Sequence, residues 1–138
     1  MKMWKTTYKG QGGFTLLELM IVMSIIGILS IVAIPKFNDA IAMANTAKVQ
    51  TDLQTLNTAI TIYTAQNGTY PKDLVRDLSD YIVDIDKLQP PKGDCFLRSG
   101  GKVEITDKTY SLDGITRTQA LCQSHAFSDF GKKEKSST

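Results

Sequence analysis

A chain of 138 residues that is 42% hydrophobic and 22% charged has room for one modest domain, and a formal net charge of +2 supplies no basic stripe for a nucleic-acid partner. Its one histidine, His125, stands in no recognisable motif, which excludes a multi-histidine metal centre and leaves nothing on which to build a catalytic triad. No phosphate-cradling glycine motif occurs either, since Gly100-Gly101 reads as a turn into a strand, and an enzyme is not expected.

The chain opens on Lys2, Lys5 and Lys9 with no acid among them, and then turns apolar. From Phe14 to Ile34 the only ionisable side chain is Glu18. At about 1.5 Å per helical residue this run reaches across a bilayer core of roughly 30 Å, and the lysines before it predict an N-in, C-out span. A cleaved secretory signal peptide is the competing reading, because an A-x-A-like site exists at Ala42-Met43-Ala44. It fits poorly: the run is longer than the usual stretch of roughly 7–15 residues, and Pro35, Lys36 and Asp39 separate it from that site. Within the run Ser24, Gly27, Ser30 and Ala33 recur every third position, a spacing that permits close approach between helices. Pro35 removes a backbone donor and predicts a kink, a local opening or a helix boundary.

The order Gly13-Phe14-Thr15-Leu16-Leu17-Glu18, the apolar run to Ile34 and then Pro35 resembles the processing motif of type IV prepilins. That superfamily includes type II secretion pseudopilins and competence pilins, and the match covers the stretch from about Gly10 to Ala40. The resemblance implies that a membrane prepilin peptidase cuts between Gly13 and Phe14 and methylates the new amine of Phe14. Met1 to Gly13 is then a leader, and the apolar segment is retained. The residue chemistry agrees: Gly12 and Gly13 have no side chains to obstruct a protease cleft, and a cut there leaves the anchor on the product.

A carboxylate near one end of a span costs up to about a few kcal/mol, so Glu18 calls for a reason. Either it reaches headgroup water, or it attracts the amine of Phe14, first in its own chain and then in a neighbour. Desolvation offsets much of that attraction, so the pair governs register more than stability. The resemblance assigns Glu18 this assembly role, and Phe14 and Pro35 join it as assembly residues.

After Pro35 the apolar positions Val49, Leu53, Leu56, Ile60 and Tyr63 form one helical stripe, with Thr46, Gln50, Thr51, Asp52, Gln54, Thr55, Asn57 and Thr58 as a polar face between them. Asn67-Gly68 followed by Pro71 predicts the stop, so one long helix is expected from Phe14 to about Gln66. Lys72 to Leu88 reads as a second short helix or a compact connecting loop, and Gln89 to Gly93 as breakers. Lys102 to Ile105 and then Tyr110 to Leu112 alternate, which predicts an antiparallel hairpin, with a further short strand around Leu121 to Phe127. The fold class is α+β: a long N-terminal helix, hydrophobic in its first half, with a small antiparallel sheet head packed on its second half. The segments are a leader at 1–13, a filament-core helix at 14–35, an amphipathic helix at 36–67, a head at 68–130 and a disordered tail at 131–138.

Cys95 and Cys122 are the only cysteines, and the head is expected in a disulfide-permissive compartment. They are expected to pair, as a disulfide pins the sheet in similar pilins, although the spacing does not fix the geometry and two unpaired buried thiols remain the alternative. Asp84, Asp86, Asp94, Asp107 and Asp113 form no calcium-loop pattern, so no metal and no cofactor are expected. The resemblance implies a structural subunit of a type IV filament, anchored in the cytoplasmic membrane with its head outside and then polymerised. The implied partners are further copies of the chain in a helical homopolymer, the prepilin peptidase, the pilus or secretion assembly machinery, and the membrane. Nucleic acid enters only for a DNA-uptake filament. Two alternatives stay open: the major pseudopilin of a type II secretion system, and a monomeric single-pass membrane protein with an extracytoplasmic binding head.

Overall fold

The computed structural model of the chain describes residues 13–133. The expected leader and disordered tail fall mostly on residues 1–12 and 134–138, outside the described residues. Helix α1 spans Leu16–Asn67, 52 residues. It begins at Leu16 rather than Phe14 because Thr15 is its N-cap. The Thr15 N–H donates to Glu18 Oε2 at 2.9 Å while the Glu18 N–H donates to Thr15 Oγ1 at 3.2 Å, a reciprocal capping box that satisfies donors no helical carbonyl reaches. It ends where Gly68 takes φ 68° and its N–H bonds the Thr64 carbonyl at 2.9 Å. Pro35 lies inside the helix without an N–H to offer the preceding turn, and the chain divides into two compact units immediately afterwards, between Lys36 and Phe37.

Among the described residues of the first unit the large apolar side chains are exposed. Phe14 is 89% exposed and Ile31 76%. The helix is long and apolar enough to cross a membrane, with a window of mean hydropathy 2.6. Its serines are already satisfied, since the Ser24 hydroxyl donates to the Met20 carbonyl at 2.8 Å and that of Ser30 to the Ile26 carbonyl at 2.7 Å.

The second unit is built on the stripe that the periodicity predicts. Val49, Leu53, Leu56 and Ile60 are buried against Leu78, Ile105, Ala120, Cys122 and Phe130, each large aliphatic side chain contributing about 1.5–3 kcal/mol by leaving water. A five-residue helix α2, Leu74–Leu78, capped by the Asp73 carboxylate on the Arg76 N–H, leads through a 3₁₀ turn at Ile85–Lys87 into the strands. Strand β1, Gly93–Phe96, pairs antiparallel with β2, Lys102–Ile105, placing Cys95 opposite Val103. A second sheet has the order β3–β4–β5, from Ser111–Leu112, Ala120–Cys122 and His125–Ala126.

The pairing corrects the expected hairpin. Lys102–Ile105 pairs back with β1, while Ser111–Leu112 pairs forward with β4. Gly100 and Gly101, at φ 97° and 103°, close the first hairpin, so its partner strand precedes them in the segment that begins at Gly93. The β4–β5 connection is two residues, Gln123 and Ser124, at φ 50° and 64°, a geometry that glycine or asparagine adopts more cheaply. Gln123 is held there from outside: its Oε1 accepts the N–H groups of Thr106 and Asp107 at 3.2 Å, and Asp107 Oδ2 accepts its own N–H at 3.1 Å.

The polar face of α1 is not uniformly solvated. Part of it ties the strands to the helix: the Phe96 N–H donates to Thr46 Oγ1 at 2.8 Å, Gln50 Nε2 to the Phe130 carbonyl at 2.9 Å, and the Ala120 N–H to Asn57 Oδ1 at 2.7 Å. The most buried tie is the Tyr110 hydroxyl, which donates to Asp52 Oδ2 at 2.6 Å in a site where both residues are under a tenth exposed. Burial, reinforced by that carboxylate, pushes the Tyr110 phenol up from its ordinary value and keeps it a donor. Lys48 meets the same oxygen at 2.6 Å. Removing the hydroxyl in Tyr110→Phe should lower stability by about 1–3 kcal/mol, read as a shifted denaturation midpoint of the full chain in detergent. An unchanged midpoint would show that the tie contributes nothing.

Candidate assembly site

The structure places three of the sequence-derived site residues at or just before the start of α1. Gly13 and Phe14 precede the helix and are exposed, and Glu18 occupies its first turn. Gly13 is not demanded by packing among the described residues: a side chain built there would meet no atom within 4 Å. The carboxylate of Glu18 is held by Thr15, whose N–H and hydroxyl both donate to Oε2 at 2.9 Å. Among the described residues no cation stands in salt-bridge reach of Glu18. Negative charge is nevertheless well placed there, because four unpaired N–H groups at a helix start carry a partial positive charge.

Thr15 belongs to this site as well, although its residue type alone does not single it out. Its signal was present, since Thr15-Leu16-Leu17-Glu18 has the T-x-x-E spacing of a capping box directly before an apolar run. Pro35 lies on the same helix, about 25 Å further along at 1.5 Å per residue, and does not join the turn that holds Glu18.

Cys95 and Cys122 belong to the second unit. Both are 0% exposed in its core, and both are free thiols in this structure. Desolvation raises the Cys95 thiol, and desolvation together with the nearness of Cys95 pushes Cys122 up to about 12. His125 is half-buried, edge-on to the Phe130 ring at a 6.0 Å centroid distance and 3.7 Å from the Asp129 carboxylate. Three of the acids considered as calcium ligands have other partners: Asp84 pairs with Lys87 at 3.1 Å, Asp107 accepts from Gln123, and Asp113 accepts within its own loop. Among the described residues no three potential metal ligands gather.

Residues 8–34 match the family described as the prokaryotic N-terminal methylation motif. The N-terminal part of the chain is similar to that of type IV pilins. It is 43% identical over 63 residues to the type IV major pilin protein PilE of Neisseria gonorrhoeae, covering 46% of this chain and 38% of that protein. It is 47% identical over 51 residues to a fimbrial protein of Pseudomonas aeruginosa, covering 37% of this chain and 33% of the relative. With the type IV major fimbrial protein FimA of Dichelobacter nodosus it shares 48% over 50 residues, 36% of this chain and 32% of the relative. The match to these curated relatives thus spans less than two-fifths of their length. No solved structure matches the chain. The α+β fold, one long N-terminal helix with small antiparallel sheets in its second unit, accords with this type IV pilin-like character.

Raised thiol values carry a sign. In the reduced head the buried neutral thiols favour folding below the ordinary thiol pKa, and that contribution is lost as pH climbs through the folded values, towards about 12 for Cys122. At pH 8 under reducing, native conditions neither cysteine should react with iodoacetamide, whereas both should be alkylated once denaturant opens the core. Rapid native labelling of either would contradict their burial.

Proposed function

We propose that this chain is a prepilin whose processed form is the structural subunit of a type IV filament. The peptidase cuts at Gly13-Phe14, the Phe14 amine is methylated, and the apolar helix serves first as membrane anchor and then as filament core. The observation that carries this reading is the first unit itself: apolar side chains exposed all round, serines internally satisfied, and one carboxylate held at the helix start. A helix that is apolar on every side is soluble only in lipid or among its own kind.

In the precursor the nitrogen of Phe14 is an uncharged peptide nitrogen, and Glu18 is stabilised by Thr15 and the helix dipole. Cleavage creates an ammonium group one residue before the cap. Two opposite charges about 4 Å apart attract by about 4 kcal/mol at an effective dielectric of about 20, and a neighbour's Phe14 amine competes for Glu18 on those terms. Desolvation removes most of the net gain, but a helix whose acid faces no amine is left with a buried charge, so only one axial register is acceptable. The head is exported, where Cys95 and Cys122, neighbours in the core, form the bond expected of them. The names of the relatives, major pilin and fimbrial protein, favour a pilus over a secretion pseudopilus.

Mass spectrometry of the mature chain should find N-methylated Phe14 at its terminus; an intact Met1 to Gly13 would leave the single-pass membrane protein as the better account. In Glu18→Ala, insertion and processing should persist while sheared filament yield falls by about tenfold or more, the scale of about 1.4 kcal/mol per contact. Undiminished yield would remove the acid from assembly. Thr15→Ala should cost about 1 kcal/mol of helix start and speed amide exchange at Glu18, with Thr15→Ser restoring protection.

A further inference from the structure

Among the described residues the two sheets of the head share no strand pair. Each is fastened to α1 by bonds of its own. The β1–β2 hairpin has the Phe96 N–H on Thr46 Oγ1, and Asn45 Nδ2 reaches the carbonyls of Lys92 and Asp94 at 3.3 and 3.2 Å. The β3–β4–β5 sheet has the Ala120 N–H on Asn57 Oδ1, and Tyr110, next to β3, has Asp52. Gln123 joins the sheets at the open end of the hairpin through Thr106 and Asp107. At the turn end the join is made by residues 127–131, which follow every strand in chain order.

After β5 the chain makes a 3₁₀ turn at Phe127–Asp129, fixed by the Ala126 N–H on Asp129 Oδ2 at 3.0 Å. It then runs past the end of β1: Leu97 bridges antiparallel to Phe130, the Arg98 N–H donates to the Asp129 carbonyl at 2.8 Å, and the Gly131 N–H to the Phe96 carbonyl at 3.0 Å. The Phe130 carbonyl accepts two side chains, Gln50 Nε2 from α1 at 2.9 Å and Arg98 Nε at 3.1 Å, while its ring is fully buried in the core. Gly131 sits at φ 140°, and a Cβ built there would meet Arg98 Cγ and Nε at 3.1 Å. The arginine thus lies where a side chain at this position would go, over a backbone geometry that only glycine adopts cheaply.

We infer that residues 127–131 are a strap that closes the head as a separate step, after both sheets are seated on α1. None of the bonds that fasten the sheets to the helix passes through the strap, so it can leave while they stay. Its release breaks these four hydrogen bonds and uncovers one ring, a small part of what global unfolding breaks, and it is therefore the opening of lower free energy. On the proposed export, the strap crosses after every strand, and Phe130 seals the core only once all of them are outside. That timing rests on the proposed function; the strap itself does not.

Amide exchange followed residue by residue on the full-length chain in detergent tests it. Arg98 and Gly131, whose N–H groups hold the strap, should have protection factors at least about tenfold lower than Phe96 and Ala120, whose N–H groups fasten the sheets to α1. Gly131→Ala should lower protection at Arg98 by about tenfold more and leave Ala120 unchanged. Equal protection at all four positions in the native chain would overturn the separate step, whether or not the variant folds. A variant in which Ala120 loses as much protection as Arg98, general unfolding included, would overturn it too. Uniform protection in a chain that forms filaments with methylated Phe14 sinks only this inference. A strap that opens separately in a chain that does neither stands, and the filament reading falls.

Discussion

An ionised carboxylate at the edge of an otherwise apolar helix sets the terms for the rest of the molecule. Every other polar side chain in the run from Phe14 to Ile34 is satisfied locally, the serine hydroxyls by carbonyls one turn back. Glu18 alone has a charge, and Thr15 answers its hydrogen-bonding needs without neutralising it. A capped but uncompensated carboxylate is tolerable at an interface and costly in a packed apolar core. The same group is therefore quiet in a membrane-anchored precursor and demanding in a bundle of helices. On the proposed function, cleavage at Gly13-Phe14 supplies the missing positive charge at the end of the chain that lies nearest.

The head solves a different problem, which is how small strands of two to four residues are held at all. Sheets this short are not independently stable, and here the helix supplies both the apolar surface and the hydrogen-bond partners that further strands would otherwise provide. Thr46 takes an N–H from β1, Asn57 one from β4, and Gln50 caps the carbonyl of Phe130. The Lys48–Asp52–Tyr110 cluster adds a buried polar tie beside the two thiols. Because that network is fully satisfied, it specifies how the β3 region sits on α1 instead of weakening the core.

How much of this was legible in the sequence differs by element, for physical reasons. The helix stripe was plain, because Val49, Leu53, Leu56 and Ile60 follow a period that only a helix places on one face. So was its end at Asn67-Gly68. The strand pairing was not, since β1 begins on Gly93-Asp94, residues that read as breakers, and only Cys95 and Phe96 favour extended backbone. The turn at Gln123-Ser124 carried no local signal at all, because contacts from Thr106 and Asp107 impose its geometry. The polar face of α1 was read as one surface although it is two, and which residues tie strands depends on where the strands lie. At the candidate site Gly13, Phe14 and Glu18 stood out by type and order, whereas Thr15 was visible only as half of a pair.

In the proposed filament the two units divide the energetics of assembly. Apolar helices exclude solvent strongly but sense one another's position weakly, since one aliphatic ridge packs much like the next along the helix. A charge pair within them selects a discrete axial step, yet it says little about rotation of the parts beyond Lys36. Contacts between heads would supply that second constraint, and contacts that bury little area are weak. Weakness is an advantage in a structure built one subunit at a time. A head contact strong enough to form in dilute solution would polymerise the heads before their helices were aligned, whereas one that holds only after the helices meet adds direction without competing for control of assembly.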